Sequence, residues 1–194
     1  MARINLPGLR REISQQYNRT FARRVRQKVE SDVEKAKARM IAAFDSHSVT
    51  KDLDGGGGGN LVGGEGDLFS LIGFEKGSKP INELRMLLLR SVRVSNVMPM
   101  GGADIAVSIT IDIPSMDEIR EVTPLPWASG RSWVDEVENG VSGLGNYIVK
   151  ESPASRSGKA IQVKSQVRSA SMGGVEYVSE IISNLINDIT KNVQ

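Results

Sequence analysis

The longest patterned stretch of the chain runs from Leu9 to Phe44. Apolar residues fall at Leu9, Ile13, Tyr17, Phe21, Val25, Val29, Val33, Ala36, Met40 and Phe44, with no Gly or Pro among them and Pro7-Gly8 just before. The spacing predicts one long helix. Its mean step is about 3.9 residues against the 3.6 of an α-helix, so the stripe slips roughly 30° per step, through more than half a turn in all. Two arrangements satisfy such a stripe. The helix is wedged between neighbouring subunits, or it curls over its own core.

Residues 45–66 read as a flexible Gly-rich loop, and Gly55 to Gly59 is expected to be mobile or ordered only by a partner, because Gly loses the most backbone freedom on ordering. The apolar run Asp67 to Phe74 reads as a short buried strand. Ser78 can cap a helix with Pro80 in its first turn, and Ile81, Leu84, Leu87 and Leu88 give that helix an apolar face ending near Ser91. Val92 and Val94 open a second strand, and Met98 to Gly102 reads as a turn. The clearest strand is "ADIAVSITIDI". Ile105, Val107, Ile109, Ile111 and Ile113 point one way, while Ala106, Ser108, Thr110 and Asp112 point the other, the habit of a one-sided antiparallel sheet.

Residues 114–151 read as a projecting excursion. Within it Ser132 is placed to cap a short helix through Asn139 whose apolar side is Trp133, Val134 and Val137. Ile161 to Arg168 alternates again and reads as a final strand. Gly173-Gly174 precedes a last helix with Val175, Val178, Ile181, Ile182, Leu185, Ile186 and Ile189 on a broad apolar face. The expected fold is a single α+β domain over residues 1–194, its long N-terminal helix and further helices packed on one face of a small antiparallel sheet.

Composition narrows the chemistry. Of 194 residues 39% are hydrophobic but only 5% aromatic, so the core must be mostly aliphatic. With no cysteine, disulfides, thiolate catalysis and cysteine-bound zinc are excluded. There is no apolar run of signal-peptide or membrane-span length, and the expectation is a soluble protein made in the cytoplasm, without membrane partners. Net charge is +2, but unevenly placed: Met1 to Phe44 holds 11 Lys+Arg against 4 Asp+Glu, and the remainder 14 against 19. That asymmetry calls for an electrostatic partner of the first segment, either nucleic acid or the acidic remainder of a neighbouring copy.

Signs of catalysis are weak. The only histidine, His47, lies near Asp45, Ser46, Ser48 and Thr50, but a triad is set by geometry rather than adjacency, and His47 reads as a helix-end or loop residue. Asp52 and Asp54 begin like a calcium loop, yet Gly56 and Gly63 stand where further oxygen ligands belong. The Gly tract lacks the Gly-Lys-Ser/Thr of a phosphate-binding loop, and Phe69 stands where a dinucleotide pattern needs its third Gly. The acids of "MDEIREV" and "WVDEVENG" read as solvated faces. No catalytic residue, metal or cofactor is expected. Arg10, Arg11, Arg19, Arg23, Arg24, Arg26 and Lys28 remain as cations able to meet phosphates, without a sequence-reading motif beside them.

The order of elements, and above all Gly66-Asp67-Leu68-Phe69-Ser70-Leu71-Ile72-Gly73-Phe74-Glu75 followed by Gly77 and Pro80, resembles the neck and tail-completion proteins of tailed bacteriophages. The resemblance covers most of the chain; Asp67 and Leu71 depart from the pattern without altering its apolar character. It implies a non-enzymatic virion subunit, a head-tail connector or tail terminator. Such a subunit forms a ring with its own copies at the junction of head and tail. Adjacent neck, portal-adaptor or tail-tube proteins would be its other partners, and passing DNA a non-specific contact. In that setting Tyr17, Phe21, Val25, Val29, Leu68, Phe69, Leu71, Ile72 and Phe74 are candidate subunit contacts, and the seven cations named above are candidate electrostatic contacts. The rival reading is a stand-alone, non-enzymatic nucleic-acid-binding module using the basic helix.

Overall fold

The structure, a computed structural model, describes residues 6–54, 67–100, 106–140, 147–149, 155, 160–162 and 174–193. Residues 55–66 of the expected Gly-rich loop, including Gly55 to Gly59 expected to be mobile or ordered by a partner, lie outside the described residues, as does most of the strand expected over 161–168.

A single helix, α1 (Leu6–Ser46), fulfils the first expectation and takes in Pro7 and Gly8 in its opening turn, where a missing N–H costs nothing. It is about 60 Å long at 1.5 Å per residue. Val29, Val33, Ala36, Met40 and Phe44 are all buried in the chain's own core. The slip explains where this begins. Each four-residue step advances the stripe by about 40°, and only the three-residue step from Val33 to Ala36 turns it back. From Val29 onward the stripe therefore runs nearly straight and one core covers it. On the far face, Arg26–Glu30, Lys28–Asp32 and Lys37–Glu34 pair along the helix.

The chain then departs from the expected loop. His47 caps α2 (Ser48–Leu53), accepting from the Val49 N–H at 3.3 Å, and Val49 and Leu53 enter the core. The expected strand at 67–74 is instead a short helix, α3 (Leu68–Ile72). Asp67 caps it by accepting from the Ser70 N–H at 2.7 Å, and Gly73 ends it at φ 85°, a conformation that favours Gly. The buried residues Leu68, Leu71 and Ile72 are three and four apart, which is helical spacing.

Helix α4 (Pro80–Ser91) starts with Pro80 in its first turn, but Lys79 rather than Ser78 precedes it and no side chain caps it. Ile81, Leu84, Leu87 and Leu88 are buried as expected. Strand β1 (Arg93–Met100) pairs antiparallel with β2 (Ala106–Asp112), Arg93 opposite Asp112 and Met100 opposite Ala106, with an irregularity between Val94 and Asn96. Met98 to Met100 thus belong to the strand and not to a turn. Val94, Ile109 and Ile111 lie against the core, so one face of this hairpin is covered.

Residues 114–151 do not project in their described part. Ser115 and Glu118 form a capping box that starts α5 (Met116–Val122). Strands β3 (Pro124–Leu125) and β4 (Ala128–Ser132) make a tight hairpin, and Ser132 caps α6 (Trp133–Asn139) as its sequence predicted. Ile119, Leu125, Trp133, Val134 and Val137 are buried with the rest of the core. In its described part this segment turns apolar side chains toward the body and acids toward solvent. A third hairpin pairs β5 (Tyr147–Val149) with β6 (Ala160–Gln162), so the described strands form three separate two-stranded antiparallel units rather than one sheet.

Gly174 passes so close to the Glu138 carbonyl that a Cβ there has no room, and the Val175 N–H donates to Val137 O at 3.1 Å. That close approach ties the end of α6 to the start of α7 (Val178–Val193). Val178, Ile181 and Leu185 of α7 are buried, and Arg39 pairs with Asp188 to link α7 to α1. The fold is mixed helix and sheet.

Candidate interaction surface

Burial on α1 stops abruptly. Val29 is the first buried side chain among the described positions of the helix, and none from Arg19 to Lys28 is buried. Over those ten residues the sequence places Arg19, Arg23, Arg24, Arg26 and Lys28, with no acid. All five are exposed. Arg26 and Lys28 reach forward to Glu30 and Asp32, each at 2.7 Å. Arg19, Arg23 and Arg24 have no ion pair among the described residues. The change from paired to unpaired cations coincides with the end of the core: Glu30 and Asp32 lie one turn beyond Arg26 and Lys28, whereas no acid stands between Arg19 and Lys28.

The other candidates divide sharply. Val29, Leu68, Leu71, Ile72 and Phe74 are at most 6% exposed within a single copy, so they are core residues and present nothing to a neighbour. Phe21, Val25 and Phe69 are half-buried, with Val25 and Phe69 lying against the core. The rings of Phe69 and Phe74 meet at a tilt of 38°, with centroids 5.4 Å apart. The side chains of Tyr17, Arg10 and Arg11 lie outside the described residues, although all three positions are in α1.

Sequence reasoning did not find Trp127. Its ring is 51% exposed, yet it is held firmly: Nε1–H donates to Ile72 O at 2.7 Å, and the Arg131 guanidinium lies 5.6 Å from the ring centre. Arg131 is itself held by Glu136. The signal was Pro126-Trp127, which stands at the tip of the β3–β4 hairpin.

Clusters with chemical potential turn out to be braces. The Thr50 and Tyr177 hydroxyls meet at 2.6 Å in the core, and burial pushes the Tyr177 hydroxyl far above its ordinary range, so it keeps its proton. The His47 ring lies 4.7 Å from that of Tyr177. Asp52 is buried while Asp54 is exposed, so the two carboxylates of the supposed calcium loop occupy different environments. No group of three or more metal-ligating side chains gathers among the described residues. An open cleft of about 620 Å³ between α4, α5 and the first hairpin is lined by Arg90, Arg93, Ile111, Asp112, Ile113 and Glu118. Its charges are largely spent internally, Arg93 on Asp112 and Glu118 on the Ser115 cap.

His47 supplies a pH test of this brace. Burial lowers its pKa below the usual 6.5, opposed by Glu180 and by the Glu176 backbone, and Nδ1 must stay unprotonated to accept from Val49. The unfolded chain therefore takes up the proton first. The stabilising effect is complete above about pH 6.5 and is lost as pH falls below it. Urea midpoints measured at pH 7.5 and pH 5 should fall more for the parent than for His47→Asn, which keeps an N-cap acceptor but does not titrate; equal falls would show that His47 carries none of the pH dependence.

Compared with protein-family models, with curated proteins and with solved structures, the chain finds no match in any of the three.

Proposed function

We propose that the chain is a structural, non-enzymatic subunit of a tailed-phage virion, forming a ring at the head-tail junction. The observation that carries this reading is the division of α1: one half is sealed into a compact core, and beyond it residues 19–28 carry five exposed cations, of which Arg19, Arg23 and Arg24 have no ion pair among the described residues. A subunit that must hold its neighbours needs such an appendage on a rigid body. Ring contacts are heterologous, one face of a copy meeting a different face of the next. The resemblance of "GDLFSLIGFE" to neck and tail-completion proteins supplies the class of machine, and that stretch serves as core packing within each copy.

The purified protein should sediment as a monomer or partial ring and close fully only on its neighbours. Antibody raised against the chain should label purified virions at the neck, and a reconstruction of that region should hold its α+β density in a closed ring. Particles lacking the chain would overturn the proposal.

A further inference from the structure

We infer that residues 19–28 of α1 form a sequence-independent contact element for duplex DNA, laying a polar face edged with arginine against the phosphates. Helical geometry sets the cations in two rows. At 100° per residue, Arg19, Arg23 and Arg26 fall within about 60° of one another, and Arg24 and Lys28 within about 40°. The rows are centred about 150° apart, with the exposed residues Thr20 and Gln27 between them. Ala22, Val25 and Val29 lie on the opposite side, where Val25 packs against the core and Val29 is buried. The arginine face is therefore the one turned away from the protein.

That layout fits a groove lined on both sides by negative charge. A B-DNA major groove is about 12 Å wide and admits an α-helix, with a phosphate strand along each wall. The two rows would meet the two walls, and residues 19–28 span about 14 Å along the axis. Four of the five cations are arginine, whose planar fork binds phosphate oxygens two at a time. Single strands fit less well, since they are held by aromatic platforms and Phe21, the one aromatic of this segment, is half-buried.

A second copy of the chain is the weaker occupant. Several exposed acids are engaged within the fold, Asp45 by Arg85, Asp112 by Arg93, Asp117 and Asp135 by Arg120. Among the described residues the remaining ones, such as Glu75, Glu83 and Glu121, are scattered along the chain, on a loop, α4 and α5. The inference does not rest on the ring, because one copy is enough to bind.

The test is fluorescence anisotropy of the full-length protein with two labelled 30-base-pair duplexes of unrelated sequence, titrated between 50 and 300 mM NaCl. Both duplexes should bind alike, and log K should fall linearly with log salt. In Arg19→Gln/Arg23→Gln/Arg24→Gln the slope should shrink by about 2.7, at about 0.9 per phosphate released, with at least about tenfold weaker binding at 100 mM. The urea midpoint of this variant should match the parent, since the three side chains are exposed. Arg39→Gln/Arg85→Gln, which removes cations already paired, should leave the slope unchanged. Absence of binding at 50 mM would overturn the inference. So would tighter binding of a 30-nucleotide single strand, or an equal loss in the two variants. An arm variant that binds DNA as before but no longer self-associates, or no longer binds vesicles with anionic lipid, would give the arm to those partners instead. Duplex binding by a protein absent from virions would sink the ring alone.

Discussion

Trp133→Ala is expected to cost about 3–5 kcal/mol, the range for deleting a large aromatic from a packed core. Trp133 is 1% exposed. Its ring stands edge-on to Phe74 and tilted to Tyr177, with centroids 6.3 Å away in each case, and Tyr177 in turn stacks on Phe44 at 5.8 Å. Three segments distant in sequence thus meet at Trp133, and a fourth joins them through Tyr177, so the void left by alanine cannot close by moving a single loop. Against a typical total of about 5–15 kcal/mol, the variant should be largely unfolded under mild denaturant. Trp127→Ala is the matched control. That ring is half exposed and its main tie is one hydrogen bond to Ile72 O, worth about 1 kcal/mol. Equilibrium urea unfolding of both variants decides the point. A loss below about 1 kcal/mol at Trp133 would mean that residues 116–139 pack as an appendage after all.

What the sequence made legible was periodicity sustained over several turns or several strand residues. The faces of α1, α4, β2 and α7 could be read because burial follows the period, and Ile81, Leu84, Leu87 and Leu88 went inside as a set. Short apolar runs were not legible in the same way. Over five residues helix and strand bury similar numbers of side chains, and only the ends separate them. Those ends were present in the sequence: Asp67 three residues before Ser70, Gly73 at the left-handed position, Ser115 three residues before Glu118.

The interaction surface was half legible. A run of cations without acids could be seen from Arg19 to Lys28, but not which of them the fold leaves unpaired. Arg39 is neutralised by Asp188 and Arg85 by Asp45, partners 149 and 40 residues away. Tertiary structure alone brings these together, and it holds the Asp45 carboxyl below its usual range by the Arg85 hydrogen bond. Five of the apolar candidates, Val29, Leu68, Leu71, Ile72 and Phe74, went inside for the converse reason. A sticky segment looks the same in sequence whether its partner is another copy or the chain's own interior.

Leu71→Ala separates those two partners. Leu71 is 1% exposed in α3, with Leu68 and Ile72 buried beside it, and truncation should cost about 2–5 kcal/mol in the monomer. Phe69→Ala removes a half-buried ring from the outer side of the same turn and should cost about 1 kcal/mol, roughly half of a full aromatic burial. Core placement demands that order of effects in dilute protein, where no neighbour is bound, and any assembly defect of Leu71→Ala should then scale with its unfolded fraction. A seam demands the reverse: a monomer as stable as the parent, with assembly lost at every denaturant concentration. Unfolding curves at low protein concentration, set beside sedimentation of the same samples at high concentration, tell the two apart, because only a seam residue leaves the isolated chain untouched.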